Sequence, residues 1–305
     1  MRFIIFFIFC SLSVFSQQST QQLAYQYYIN GEYDKAIFLY KELIDTKFSI
    51  AYYDPYFYSL IQVKEYKKAE LLVKKMIRKY PKNLKYQLEI AIMHFKSGNK
   101  RKSESAFQKV MAKVNGDKKL TIKLAGVLNK HRMFENALFL YLEAEKISPK
   151  NHFSLQKAQL YSELGNSHKM ILSYLEELKR NSQNKPLIIN KLQKFMDNDG
   201  LKSDDNYKLV KKTLLKYISQ DQDRVDYIEI LIWVFMQNQQ FKMALTQGKA
   251  LDKRLQSNGE DVYDLAETFL DKGHYDLAVE AYDYVIDKGN KNYLYIYIAD
   301  LTKTC

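Results

Sequence analysis

The 305-residue chain has little glycine and proline, with 10 Gly and 4 Pro. A many-stranded sandwich or barrel needs those residues at short intervals for its hairpins, so that class is excluded and a mostly helical protein is expected. Cysteine is scarcer still: Cys10 and Cys305 are the only two, too few for a disulfide framework. Histidine occurs five times, at His94, His131, His152, His168 and His274. None stands at metal-ligand spacing from another His or a Cys, and there is no His-Glu-x-x-His. His94 reads as a helix-packing residue, and His168 and His274 as residues of turns between helices. A Gly-rich phosphate loop, a Gly-x-Ser-x-Gly elbow and a reactive internal cysteine are also missing. These absences point away from an enzyme and away from any metal or cofactor.

What is present is a globular composition, 47% hydrophobic and 27% charged, which excludes disorder as the dominant state. Met1-Arg2 gives a short positive start, and an apolar block from Phe3 to Phe15 leads to Val14-Phe15-Ser16 before Gln17-Gln18. This is the pattern of a secretory signal peptide over residues 1–16, with cleavage expected after Ser16. The block is shorter than the roughly 20 residues that cross a bilayer, so a permanent amino-terminal anchor fits less well. Lipidation also fits poorly, because Cys10 follows the bulky Phe7-Ile8-Phe9. Without the leader, 46 basic residues face 35 acidic ones, a formal charge of +11. No integral membrane span is expected. The location read from this leader is the periplasm or outer membrane of a bacterial cell envelope, or outside the cell.

Self-similarity then dominates the chain. A small residue recurs in matching segments at Ala36, Ala69, Ser103 and Ala137, spaced 33, 34 and 34 apart, and Ala244 and Ala278 are again 34 apart. Met170 holds that place in a further segment. A second small residue lies twelve places earlier at Ala24, Ala91, Ala125, Ala158 and Ala266, and an aromatic follows four places later at Tyr40, Phe107, Tyr141, Tyr174 and Tyr282. Gly31, Gly98, Gly165 and Gly273 fall between the two small positions, where a left-handed residue lets the chain leave one helix. Pro81 and Pro149 come just past the second helix of their segments. The period therefore predicts a pair of antiparallel helices, with small residues letting the backbones approach and the aromatic filling the groove beside them.

The array of small residue, Gly, aromatic, Ala, aromatic and Pro resembles the tetratricopeptide repeat. The resemblance implies an all-α right-handed superhelical solenoid of antiparallel helix pairs. Hairpins begin near Gln17, Ile50, Leu84, Lys118 and Asn151 over residues 17–183, and near Val225 and Gly259 over 225–291. A degenerate hairpin occupies residues 184–224. Phe57 replaces the first small residue of the second hairpin, and Gly248 replaces the aromatic of the hairpin starting near Val225. In the degenerate part, Leu187 to Phe195 and Tyr207 to Ile218 read as helices and 196–206 as an enlarged loop. Its Asp197-Asn198-Asp199-Gly200 is read as a polar turn, because Phe195 and Asn206 would occupy the first and twelfth places of a calcium loop. Residues 292–305 read as a terminal helix whose apolar stretch, 292–301, offers a route to self-association.

In such an array the first helices line the inner surface. The resemblance thus implies a concave groove lined by Tyr25, Tyr28, Tyr58, Ile61, Ile92, Lys96, Asn129, Gln159, Trp233, Glu267 and Leu270. Aromatic and amphipathic side chains with few rotatable bonds bind at low entropic cost, so the expected ligand is a peptide or protein segment. A carboxylate clamp built from Lys and Asn is not expected, since Gln21 and Tyr25 stand in its first-hairpin places. The function expected is a non-catalytic scaffold for protein-protein contacts; a carbohydrate-capture component of an outer-membrane uptake system is the competing reading. Lysines and arginines concentrate at Lys64, Lys67, Lys68, Lys74, Lys75, Arg78, Lys79, Lys82 and Lys85, and again at Lys96, Lys100, Arg101 and Lys102. They read mainly as solvated helix faces, with attraction to an anionic surface or acidic partner as the other reading and nucleic acid not expected.

Overall fold

The computed structural model describes residues 19–197, 203–221 and 223–289. The expected leader, its cleavage point after Ser16 and the apolar stretch 292–301 lie outside the described residues, as do Asn198, Asp199 and Gly200 of the polar turn. Among the described residues there are sixteen α-helices and no strand. They fall into two compact units that divide after Asn151. The first holds α1 (Thr20–Ile29), α2 (Tyr33–Thr46), α3 (Ile50–Gln62), α4 (Tyr66–Lys79), α5 (Leu84–Lys96), α6 (Lys100–Val114), α7 (Lys118–Lys130) and α8 (Phe134–Ile147). The second holds α9 (Ser154–Glu163), α10 (Ser167–Arg180), α11 (Lys185–Asp197), α12 (Ser203–Gln220), α13 (Val225–Gln237), α14 (Phe241–Leu255), α15 (Glu260–Asp271) and α16 (Tyr275–Asp287). Each unit is built of helix hairpins.

The hairpins start where a polar side chain can cap a helix. Ser19 accepts from the Gln22 N–H while the Gln22 side chain accepts from the Ser19 N–H. Asp117 at the start of α7, and Asn99 and Asn166 at the starts of the second helices α6 and α10, accept from the N–H three residues on; each such cap stabilises by about 1 kcal/mol.

The first helix of a hairpin ends in one recurring geometry. A left-handed residue appears at Gly31, Lys64, Gly98, Arg132, Gly165, Gln239 and Gly273. The N–H after each reaches back five residues, as in Glu32 to the Tyr27 carbonyl at 2.9 Å, Glu65 to Leu60 at 2.8 Å and Gln240 to Phe235 at 2.9 Å. This bond satisfies a carbonyl that the helix end leaves free. Glycine was expected at four of these turns; at the other three Lys, Arg or Gln holds the same strained conformation.

The small positions are where the two helices of a hairpin meet. Ala24, Ala36, Ala69, Ala137, Ala158, Ala244 and Ala266 are each 0% exposed. Ser103, in the same place, donates its hydroxyl to the Ala91 carbonyl at 2.8 Å, joining two small residues twelve apart. The aromatics Tyr40, Phe107, Tyr141, Tyr174 and Tyr282 are buried beside them. Gly248 stands in the place of the aromatic, and the Leu265 side chain occupies the space beside it: a Cβ there would stand 2.7 Å from Leu265 Cδ1, so that side chain would have to shift.

The degenerate hairpin departs from the expected loop. Helix α11 runs to Asp197 and α12 begins at Ser203, so most of 196–206 is helical and the added residues lengthen α12 to 18 residues. Asn206 in its first turns donates to the Phe195 carbonyl at 2.9 Å. Ile188, Leu192, Tyr207, Val210 and Leu214 join one core with Leu178, Ile230 and Leu231. Tyr227 and Arg224 donate to the carbonyls of Leu175 and Leu178, both at 3.0 Å, so α13 is tied directly to α10. His168 is the second residue of α10 and His274 caps α16.

A residue with a Cβ held left-handed costs about 1–2 kcal/mol relative to glycine. Gln239→Gly is therefore expected to stabilise the chain by about 1 kcal/mol. Gly31→Ala, whose Cβ would meet nothing within 4 Å, is expected to destabilise it by a similar amount. Urea midpoints of the two variants check this, and a lower midpoint for Gln239→Gly would contradict it.

Candidate functional site

Four tyrosines gather in the first unit. Tyr25 and Tyr28 lie three apart on α1 and so share one face, Tyr33 opens α2, and Tyr58 lies on α3. The Tyr28 and Tyr58 rings meet edge to face at 5.7 Å, Tyr33 meets Tyr58 at 6.0 Å, and Tyr25 meets Tyr28 at 6.3 Å. The ammonium of Lys130, at the end of α7, lies over both Tyr28 and Tyr58, 5.6 and 5.3 Å from their ring centres. Such contacts contribute about 0.5–1 kcal/mol each at exposed sites. They fix rings of the first two hairpins into one surface, with the ammonium supplied by the hairpin of α7 and α8. Burial, followed by the neighbouring tyrosines, raises the hydroxyl pKa of Tyr28 and of Tyr58, so both hydroxyls stay protonated and can donate as well as accept.

Beneath the tyrosines sits His131, which caps α7 and is 5% exposed. Its ring packs against Phe57 at 5.8 Å and Tyr58 at 5.4 Å. Burial, helped by Lys130, Lys96 and Lys85, pushes its pKa down to about 3. The imidazole is thus neutral at ordinary pH, and its Nδ1 has no hydrogen-bond partner among the described residues.

A second polar group lies between α3 and α5. Tyr53 donates to Glu89 Oε2 at 2.6 Å. Lys85, one turn before Glu89, bridges to Asp54 and stands 3.8 Å from Glu89 Oε1. Glu89 is 2% exposed, and burial lifts its pKa to about 8 against the opposing pull of Lys85 and of the Tyr53 hydrogen bond. The four side chains join α3 to α5.

Of the residues expected to line a groove, the structure brings Tyr25, Tyr28 and Tyr58 together, with Tyr25 57% exposed and the other two half-buried. Lys96 and Asn129 are half-buried in the same unit. Ile61 and Ile92 are corrections: they are 4% and 0% exposed and belong to the core. Helix α5 packs on α4, α6 and α7 and buries residues around its circumference, Leu88, Glu89, Ala91, Ile92 and Met93 among them. Ile92 lies on one of its covered sides.

The remaining candidates belong to the second unit. Gln159 is exposed and borders a cleft of about 470 Å³ with Leu155, Tyr174, Lys191 and Phe195. Trp233 packs half-buried on the core that includes Leu231 and Phe235. Leu270 packs on the core around Phe269. Glu267 accepts from the Tyr282 hydroxyl. These four do not gather at one place. Sequence reading missed Tyr33, Lys130 and the Tyr53–Glu89 pair; the last had one signal, a Lys85-x-x-x-Glu89 pair on an otherwise apolar helix. Among the described residues no group of three or more His, Cys, Asp or Glu could hold a metal ion, and no helix is long and apolar enough to cross a membrane.

No protein-family description and no curated protein matches the chain. Solved structures do resemble it. The C-terminal part of a tetratricopeptide repeat-containing protein from Cytophaga hutchinsonii is 15% identical, over 90% of this chain and 98% of that one, with a TM-score of 0.34. Yeast Tom70 is 16% identical over 89% and 76%, with a TM-score of 0.29. A human IFIT1 dimer with PPP-AAAA is 12% identical over 89% and 73%, with a TM-score of 0.32. The chain is a helical repeat on its own recurring geometry, and tetratricopeptide-repeat proteins are among its structural neighbours.

The raised pKa of Glu89 has a defined sign. The folded chain keeps a proton that the unfolded chain releases near pH 4.5, so this stabilisation is full below about pH 4.5 and is lost as pH rises to about 8. His131 works in the other direction, its contribution being lost as pH falls from about 6.5 to about 3. Glu89→Gln keeps an acceptor for Tyr53 without the charge. It is expected to match wild type in denaturation midpoint at about pH 5 and to exceed it at about pH 8.5. An equal shift at both values would show that the carboxyl does not titrate in the fold.

Proposed function

We propose that the chain is a non-catalytic scaffold of the bacterial cell envelope whose first unit holds a peptide or protein segment against the Tyr25, Tyr28, Tyr33 and Tyr58 surface. The observation that carries this reading is the fixing of those rings by one another and by Lys130. Tyrosine offers large contact area with two torsions to immobilise, so rings already held in place cost little entropy when a ligand arrives. The protonated hydroxyls add donors for backbone carbonyls, and the Lys130 ammonium favours a carbonyl or carboxylate beside the rings. An envelope location is supported by the charged start, apolar block and Val14-Phe15-Ser16 of the leader.

The carbohydrate reading would need open ring faces for sugars to stack on. Here Tyr28 and Tyr58 meet at an interplanar angle of 82° with Lys130 over both, so each presents an edge or a covered face. That favours the peptide.

A photo-crosslinking amino acid in place of Tyr25, in otherwise full-length protein expressed in its own envelope, is expected to capture one protein reproducibly. Tyr28→Ala combined with Tyr58→Ala should abolish that capture, since a buried aromatic anchor contributes about 2 kcal/mol or more, a factor of roughly 30 in affinity. Unchanged helicity and melting of the double variant would confirm that folding is intact. Capture of polysaccharide alone would overturn the proposal.

A further inference from the structure

The lysine concentration noted in the sequence surrounds a second, separate site. On the side of α5 flanked by the second helices α4 and α6 lies an open cleft of about 650 Å³. Its floor is aliphatic, with Ile77 from α4, Ile90 from α5, and Ala106 and Val110 from α6. Its rim is cationic: Arg101, Lys102, Lys109 and Lys113 all line it, and no carboxylate does. Residues 64–113 hold fifteen Lys and Arg against four Asp and Glu. Each of those four has another partner: Glu65 pairs with Lys68 at 3.1 Å, Glu70 with Lys74 at 2.7 Å while also lying within the field of Lys102 and His94, Glu104 accepts from Gln108 at 2.7 Å, and Glu89 is buried against Tyr53. Lys113 donates to Gln87 Oε1 at 2.8 Å. Among the described residues, none of the four rim cations is in a salt bridge.

The arrangement selects among anions. Arg101, Lys109 and Lys113 fall in one register along α6, at spacings of eight and four, so their charges form a line of about 18 Å instead of converging on one point as a phosphate pocket requires. The lining holds a single ring, the His94 imidazole, beside a floor of Ile, Val and Ala, so successive bases find no stacking platform and nucleic acid would be held chiefly by its phosphates. The apolar floor lies recessed between two helices, out of reach of a flat lipid surface. A helix or strand bearing carboxylates along one edge and apolar side chains along the other meets both features together. We infer that the α4–α5–α6 cleft docks an acidic amphipathic segment of a partner protein, with apolar side chains on Ile77, Ile90 and Val110 and carboxylates on the Arg101, Lys102, Lys109 and Lys113 rim. The site is independent of the tyrosine surface and takes a ligand of different chemistry.

The test uses the full chain and fluorescence anisotropy of a labelled peptide of Glu-Leu-Leu-Glu repeats, about twelve residues and so about 18 Å long as a helix. This peptide is expected to bind at least about tenfold more tightly than poly-glutamate of equal charge, because only it can cover the floor. Lys102→Glu with Lys109→Glu should weaken binding by about tenfold or more. Lys67→Glu with Lys68→Glu, the same change in net charge on exposed positions outside the cleft, should leave it unaltered; both pairs are exposed, and unchanged helicity checks their folding. Equal affinity for poly-glutamate, or equal loss in the two charge-reversed variants, would reduce the effect to bulk charge and overturn the site. Phosphatidylglycerol vesicles or duplex DNA binding more tightly than the peptide, with loss only in Lys102→Glu/Lys109→Glu, would overturn the choice of ligand.

Discussion

The close approach of two helices at a pair of small residues governs this molecule. Where Ser103 reaches the Ala91 carbonyl, the backbones stand near enough for a hydroxyl to bridge them, and most other hairpins place buried alanines there, with Phe57 and Met170 each holding one such place. Larger side chains would separate the helices, and overpacking of this kind costs about 1–3 kcal/mol. The aromatic one turn later then faces the next hairpin, so each hairpin leaves an apolar seam that only its neighbour can cover. Stability in such arrays is a sum of hairpin terms and nearest-neighbour terms. The degenerate hairpin is tolerated because α11 and α12 still supply buried Ile188, Leu192, Val210 and Leu214 to that seam. Direct bonds from Tyr227 and Arg224 to α10 bypass its irregular part.

Much of this was legible in the sequence because backbone approach admits few residue types. Only small side chains fit at Ala36 or Ala137, so their spacing exposed the hairpins, and four of the seven left-handed turns announced themselves by glycine. The turns at Lys64, Arg132 and Gln239 were silent, since a Schellman bond fixes the backbone conformation whatever the side chain. Side-chain register also failed to give burial at Ile61 and Ile92: a position facing inward along one helix is still covered when helices on several sides close over it. The Tyr28–Tyr58–Lys130 contact joins residues about a hundred apart in the chain. No periodicity can reveal it, because it depends on how the successive hairpins turn.

The two polar groups of the first unit share one physical cause. Glu89 and His131 are each held in the uncharged form by burial, although one is an acid lifted to about 8 and the other a base lowered to about 3. Lysines act on both in opposite senses: Lys85 favours the charged carboxylate and disfavours the charged imidazole. Their pH windows overlap between about 4.5 and 6.5, where acidification strengthens one contribution while weakening the other. The inner helices therefore hold polar groups without an uncompensated charge over the range in which both are neutral, which is the condition for rigid support beneath the tyrosines.

The two faces of the first unit differ because their helices differ in what surrounds them. First helices such as α3 and α5 are largely enclosed, so polar groups on their covered sides must be paired or neutral, and Tyr58 stands half-buried where α3 meets the tyrosine surface. Second helices α4 and α6 have a solvated side that accepts unpaired cations at little cost, and the gap between them leaves Ile77 and Val110 at the bottom of a charged cleft. The hairpins thus produce a donor-bearing aromatic surface with one ammonium over it and, separately, an aliphatic floor with a rim of four cations. The first rewards aromatic and backbone contacts and the second a row of carboxylates on an apolar edge, so the two surfaces differ in the ligand each fits best.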